Sequence, residues 1–142
     1  MIIKGKWKGH YKYDRKSVEE LRGIDQTGFM IDIISTDGEF FAGTVRDDQK
    51  TGGTEGIGEI NGKLIGDQVA FIKQMPVLTV LVQKGTRKTF DRKHPPIYYT
   101  GTLSDDGKSV RGQWKINFGF VWMGIIPVPM MPMTGTWMAK LI

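Results

Sequence analysis

From Ile3 to Tyr13 the side chains alternate without a break, with Ile3, Gly5, Trp7, Gly9, Tyr11 and Tyr13 on one face and Lys4, Lys6, Lys8, His10 and Lys12 on the other. A period of two is the repeat of an extended chain that buries one face and wets the other. The same period returns in Val110, Gly112, Trp114 and Ile116, and again in Gly135, Trp137, Ala139 and Leu141. Phe29 to Ser35, Glu39 to Asp47, Gly56 to Ile60, Leu64 to Gln74, Leu78 to Val82 and Ile97 to Ser104 also read as strands. Three dipeptides, Asp37-Gly38, Asn61-Gly62 and Asp106-Gly107, each lie between two such segments. They predict type I′ hairpins, whose two central residues both need positive φ. Segments joined by tight hairpins pair with their neighbours in sequence, which is a meander. Only Ser17-Val18-Glu19-Glu20-Leu21-Arg22-Gly23 has helical signals, a capping box followed by a glycine stop, and it predicts one short helix near 17–22.

A glycine two positions before a large apolar residue recurs along the chain: Gly5/Trp7, Gly43/Val45, Gly58/Ile60, Gly101/Leu103, Gly112/Trp114 and Gly135/Trp137. Each pair shares a face, and inward glycines relieve crowding where a sheet coils tightly. Repeated around a meander, they argue for closure, which also removes exposed sheet edges. The expected fold is all-β: an antiparallel up-and-down meander closed as a small barrel of about eight strands, one domain over residues 1–142. A two-sheet sandwich with glycines at its bends is the alternative.

Gly5-Lys6-Trp7, with Gly112-Gln113-Trp114 and Gly135-Thr136-Trp137, resembles the calycin group of lipocalins, fatty-acid-binding proteins and avidins, whose barrels carry Gly-x-Trp on the first strand. The resemblance implies a barrel able to hold a small molecule. Biotin binding does not carry over, because Trp7 is followed by Lys8, Gly9, His10 and Tyr11 where avidins place Asn and Ser. The lipocalin disulfide cannot form in a chain without cysteine.

Composition narrows the chemistry. With no cysteine and two histidines the chain offers no thiolate metal site and little for a zinc site, and no motif calls for a cofactor. The opening residues lack the apolar core of a signal peptide, so a cytoplasmic location is expected. The most apolar stretch, Phe118 to Met133, is broken by Pro127, Pro129 and Pro132, which argues against a membrane helix. A net charge of +5 favours anionic partners in general.

The inward aromatics Trp7, Tyr11, Tyr99, Trp114 and Trp137, with Tyr13, are the candidate ligand-binding residues for a small, largely apolar molecule. A solid core made of the same residues is the alternative, because barrels of this size are either filled or hold one small ligand. Pro127, Pro129, Met130, Met131 and Met133 read as a lid over the barrel mouth or as a homo-oligomer contact, since proline donates no ladder hydrogen bond and Met adapts to varied surfaces. The basic row on the first strand, with Arg87, Lys88, Arg92, Lys93 and His94, reads as a solvated face. Nucleic acid is not the expected partner, because the aromatics that would stack bases point inward. No catalytic motif stands out: Gly52 to Gly58 lacks the ending of a phosphate loop, and Asp32, Glu55, Glu59 and Asp67 show no spacing that pairs two of them.

Overall fold

The computed structural model describes residues 3–16, 23, 25–83, 86–90, 94–117, 120–129 and 132–142. Eight strands close into an antiparallel barrel: β1 (Gly5–Tyr13), β2 (Thr27–Asp37), β3 (Phe40–Asp47), β4 (Ile57–Ile65), β5 (Gln68–Gln74), β8 (Ile97–Leu103), β9 (Ser109–Ile116) and β12 (Met133–Leu141). Each pairs with its predecessor in the barrel, and β1 meets β12 in register from Trp7 opposite Leu141 to Tyr13 opposite Gly135. Two hairpins stand outside the barrel ladder, β6 (Leu78–Gln83) with β7 (Thr86–Phe90) and β10 (Phe120–Met123) with β11 (Ile126–Pro129). The helix expected near 17–22 lies outside the described residues. No helix among those described is long and apolar enough to cross a membrane.

The barrel has two unlike ends. Strand directions alternate, so the turns at 38–39, 66–67 and 104–108 share one end with the start of β1 and the close of β12. The last residues of β1, β3, β5 and β9 and the first of β2, β4, β8 and β12 lie at the other, the loop end.

The turn chemistry differs from expectation in two ways. Asn61-Gly62 is not a hairpin but lies inside β4, and the chain reverses instead at Gly66-Asp67, between Ile65 and its partner Gln68. Gly62 is required for close approach: a Cβ there would overlap the Ala70 carbonyl oxygen and the Phe71 side chain. Asp37-Gly38 and Asp106-Gly107 do mark turns, yet positive φ is confined to the glycines, 61° at Gly38 and 70° at Gly107, so neither is type I′. In the two-residue loops at Gly38 and Gly66 the glycine comes first, the placement of a type II′ turn.

Inside, rings sit over glycines of other strands: the Trp114 ring over Gly135, the Phe41 ring over Gly62 and the Trp137 ring over Gly101. A Cβ at Gly135 would overlap the Trp114 ring and the Lys12 carbonyl oxygen. Because the obstacles include backbone, repacking cannot relieve them. Gly135→Ala is therefore expected to destabilise the barrel by at least about 1–3 kcal/mol, the usual cost of overpacking a core; urea unfolding of the two proteins measures it, and an unchanged midpoint would contradict the ring-over-glycine account.

Candidate functional site

The five predicted ligand-binding aromatics all face the interior and all are buried: Trp7, Tyr11, Tyr99, Trp114 and Trp137. They meet one another. Tyr99 and Phe71 stack at 4.7 Å between ring centroids, and Trp137 packs edge-on against both at 5.3 Å. Tyr13 and Tyr11 meet Trp114 edge-on at 4.9 and 5.9 Å. Phe29 links the two groups, 6.3 Å from Tyr11 and 6.5 Å from Trp137. Between Trp7, Trp137 and the aliphatic side chains toward the turn end remains a void of about 20 Å³. That is room for about one water molecule.

The polar handles of the tryptophans are engaged by backbone. Trp7 Nε1 donates to the Ile3 carbonyl at 2.8 Å, Trp137 Nε1 to Thr100 at 2.9 Å, and Trp114 Nε1 to Lys12 and Thr136 at 3.0 and 3.2 Å. Trp137 reaches from β12 across β9 to β8, Trp114 reaches from β9 to β12 and on to β1, and Trp7 holds the chain entering β1, so the indoles act as cross-ties of the wall.

Toward the loop end the interior becomes charged. Lys73 Nζ lies 2.6 Å from Asp47 Oδ1, and both side chains are 2% exposed. Lys73 follows Val69 and Phe71 on the inward face of β5, and Asp47 follows Phe41 and Val45 on that of β3. The other carboxylate oxygen of Asp47 accepts from the Thr54 backbone N–H at 3.3 Å and lies 3.5 Å from the Tyr11 hydroxyl. Three rings surround the ammonium, Tyr11 at 4.9 Å, Phe29 at 5.6 Å and Tyr99 at 5.8 Å. Burying two charges costs several kcal/mol per ion, which close pairing and hydrogen bonds offset; ring faces add cation–π attraction. The periodicity of the two strands already carried this signal, since both charged residues keep the inward phase of their neighbours.

His94 completes this end. It is 8% exposed, its Nδ1 is 2.7 Å from the Pro95 carbonyl oxygen, and its own carbonyl accepts from Gln74 Nε2. Burial, more than any other influence, holds its pKa below the ordinary imidazole value, with nearby Lys73 acting in the same direction and the Pro95 hydrogen bond and Asp47 opposing. Burial likewise raises the Tyr99 phenol well above its usual value, helped by Asp47 and Tyr13.

Compared with known proteins, the chain matches no family model, no curated protein and no solved structure.

His94, expected on a basic loop, is instead an interior group. Of the carboxylates weighed for acid–base work, Glu55, Glu59 and Asp67 are exposed, Asp67 at the turn end, and Asp32 is outward on β2 opposite Lys6; they are not brought together. Among the described residues no three His, Asp or Glu side chains assemble as metal ligands. Pro127 and Pro129 belong to β11, opposite Trp122 and Phe120 in the hairpin outside the barrel ladder. Met133 opens β12 and packs half-buried against the core, while Met130 and Met131 lie outside the described residues.

Removing one partner of the buried pair strands the other. Lys73→Met and Asp47→Asn are each expected to lower stability by about 3–5 kcal/mol, with the double variant well short of their sum; additive losses in a denaturation cycle would show that the two charges do not depend on each other. The lowered His94 pKa gives a second outcome. Its contribution is fully present above the unfolded value near 6.5 and is lost as pH falls through the lower folded value, because the unfolded state takes up the proton first. The melting temperature should therefore drop as pH falls below about 6.5, and His94→Gln should flatten that segment of the profile; an identical slope in the variant would assign the effect elsewhere.

Proposed function

We propose that the chain is a calycin-like barrel that works from its outer surface, a non-enzymatic interaction domain that pairs with a second copy of itself. The observation that carries this reading is the packing of the interior among the described residues: rings pack on rings, the indole N–H groups of Trp7, Trp114 and Trp137 are engaged by backbone, and the void beside Trp7 and Trp137 is about 20 Å³. A small barrel packed with side chains is a solid support.

The outer surface is divided. On β3, β4, β5 and β8 the outward side chains include Phe40, Ile65, Ile72 and Tyr98, between 42% and 57% exposed. Phe40, Ala70, Ile72 and Tyr98 line a shallow groove of about 410 Å³. Contiguous exposed apolar surface of this kind marks contact sites. The opposite wall, β1, β12 and β9, is lined with cations. Like charge turns two copies away from that wall, so a self-complementary contact across a two-fold axis falls on the apolar one.

A second reading keeps one observation in its favour. Tyr11, Asp47, Lys73 and His94 place polar groups at the loop end of the interior, where the head of a small, largely apolar ligand would find partners.

Light scattering across a concentration series should report a dimer, converted to a monomer by Ile72→Asp with Tyr98→Asp while circular dichroism stays unchanged. A wild-type protein that remains monomeric throughout overturns the reading, and saturable one-to-one uptake of a fluorescent fatty acid by that monomer would establish the second in its place.

A further inference from the structure

We propose that the outer wall formed by β1, β12 and β9 is a docking surface for the phosphodiester backbone of a nucleic-acid duplex. Folding assembles it from distant parts of the chain. Lys6, Lys8 and Lys12 project from β1, Lys140 from β12, and Arg111 and Lys115 from β9, all exposed. The register sets them side by side: Lys8 is opposite Lys140, Met138 lies between His10 and Arg111, and Thr134 is opposite Lys115. Outward residues on one strand recur about every 6.6–6.8 Å and adjacent strands lie about 4.8 Å apart, so the cations form a lattice. No carboxylate projects outward from these three strands. The nearest acids stand at the margins: Asp32 on β2, Asp14 beyond the end of β1, bonded to Thr134, and Asp105 and Asp106 in the turn before β9. Among the described residues none of the six cations is ion-paired.

The wall also carries a groove of about 480 Å³, bordered by His10, Lys12, Arg111, Gln113 and Thr136. Lys12 lies close enough to His10 to add to the effect of partial burial in lowering its pKa, a sign of locally positive potential. A concave strip that mixes cations with amide and hydroxyl donors fits a ridge of phosphates, which such groups contact in protein–DNA interfaces.

Two other polyanions fit less well. A bilayer surface is engaged through large apolar side chains inserted below the headgroups, and the largest apolar group in the middle of this wall is the half-buried Met138. A single strand is held by aromatics stacked on its bases, and the rings here are inward. A duplex needs neither. It presents one charge per roughly 1.7 Å and rewards each neutralised phosphate with counterion release. Inward aromatics thus exclude base stacking without bearing on backbone contact, and this is why the wall was not legible as a nucleic-acid surface from the β1 row alone. The inference does not rest on self-association, since the wall stays exposed in a monomer and in the proposed dimer.

Fluorescence anisotropy of a labelled mixed-sequence DNA duplex of about two helical turns tests it. Binding is expected at low salt, independent of sequence, with log affinity falling linearly in log salt and tighter than for either strand alone. Lys8→Gln with Lys12→Gln and Arg111→Gln should reduce the slope by about three. Lys63→Gln, which removes one charge from β4 away from this wall, should leave it nearly unchanged, whereas Lys12→Gln alone should lower it by about one. The comparison of duplex with single strand needs only the wild-type protein, so it stands even if a variant folds poorly. Absence of duplex binding at low salt, a slope lowered as much by Lys63→Gln as by Lys12→Gln, tighter binding of the single strand, or binding to phosphatidylserine vesicles without binding to duplex would each overturn the proposal.

Discussion

The barrel depends on one repeated contact, a large ring lying over the bare backbone of a glycine in the wall. Trp114 over Gly135, Trp137 over Gly101 and Phe41 over Gly62 are the same solution at three places. Without Cβ atoms at those positions, neighbouring strands coil tightly enough to close, and the rings fill the space that closure encloses. The filling and the closing are thus one event. It also explains why these indole N–H groups meet backbone carbonyls: the Trp114 ring over Gly135 brings its nitrogen to Thr136, and the Trp137 ring over Gly101 brings its nitrogen to Thr100.

That solution leaves the interior apolar only as far as the rings reach. Beyond them, Lys73 and Asp47 occupy the loop end as a paired cation and anion, with ring faces completing the enclosure. The pair ties β3 to β5, which are separated by β4 in the wall. It is a cross-brace through the lumen, made where no ladder hydrogen bond can reach. A pair of this kind specifies an arrangement more than it adds stability, and the depressed basicity of His94 reflects the same dry surroundings.

Much of this was legible in the sequence, for physical reasons. Alternation is enforced by burial, so β1, β9 and β12 and their inward aromatics could be located from a period of two, and repeated inward glycine pointed to closure. Asn61-Gly62 misled because glycine serves two purposes that composition does not separate, a left-handed turn at Gly66 and a close approach at Gly62. Lys73 and Asp47 were legible in phase but hidden by residue type, since charged residues are assigned outward unless a partner is known, and their partnership spans β4. The strands β10 and β11 were obscured by proline, which an isolated two-stranded ribbon tolerates and a central strand does not.

The seam between β1 and β12 joins residues as far apart as Trp7 and Leu141. During synthesis β1 can pair with β2 early, yet its other edge has no mate until the last barrel strand leaves the ribosome. For that interval the growing sheet is an open ribbon, the state most prone to add a stray strand from another chain. The lysines of β1 set like charges against each other wherever two open ribbons approach along that edge.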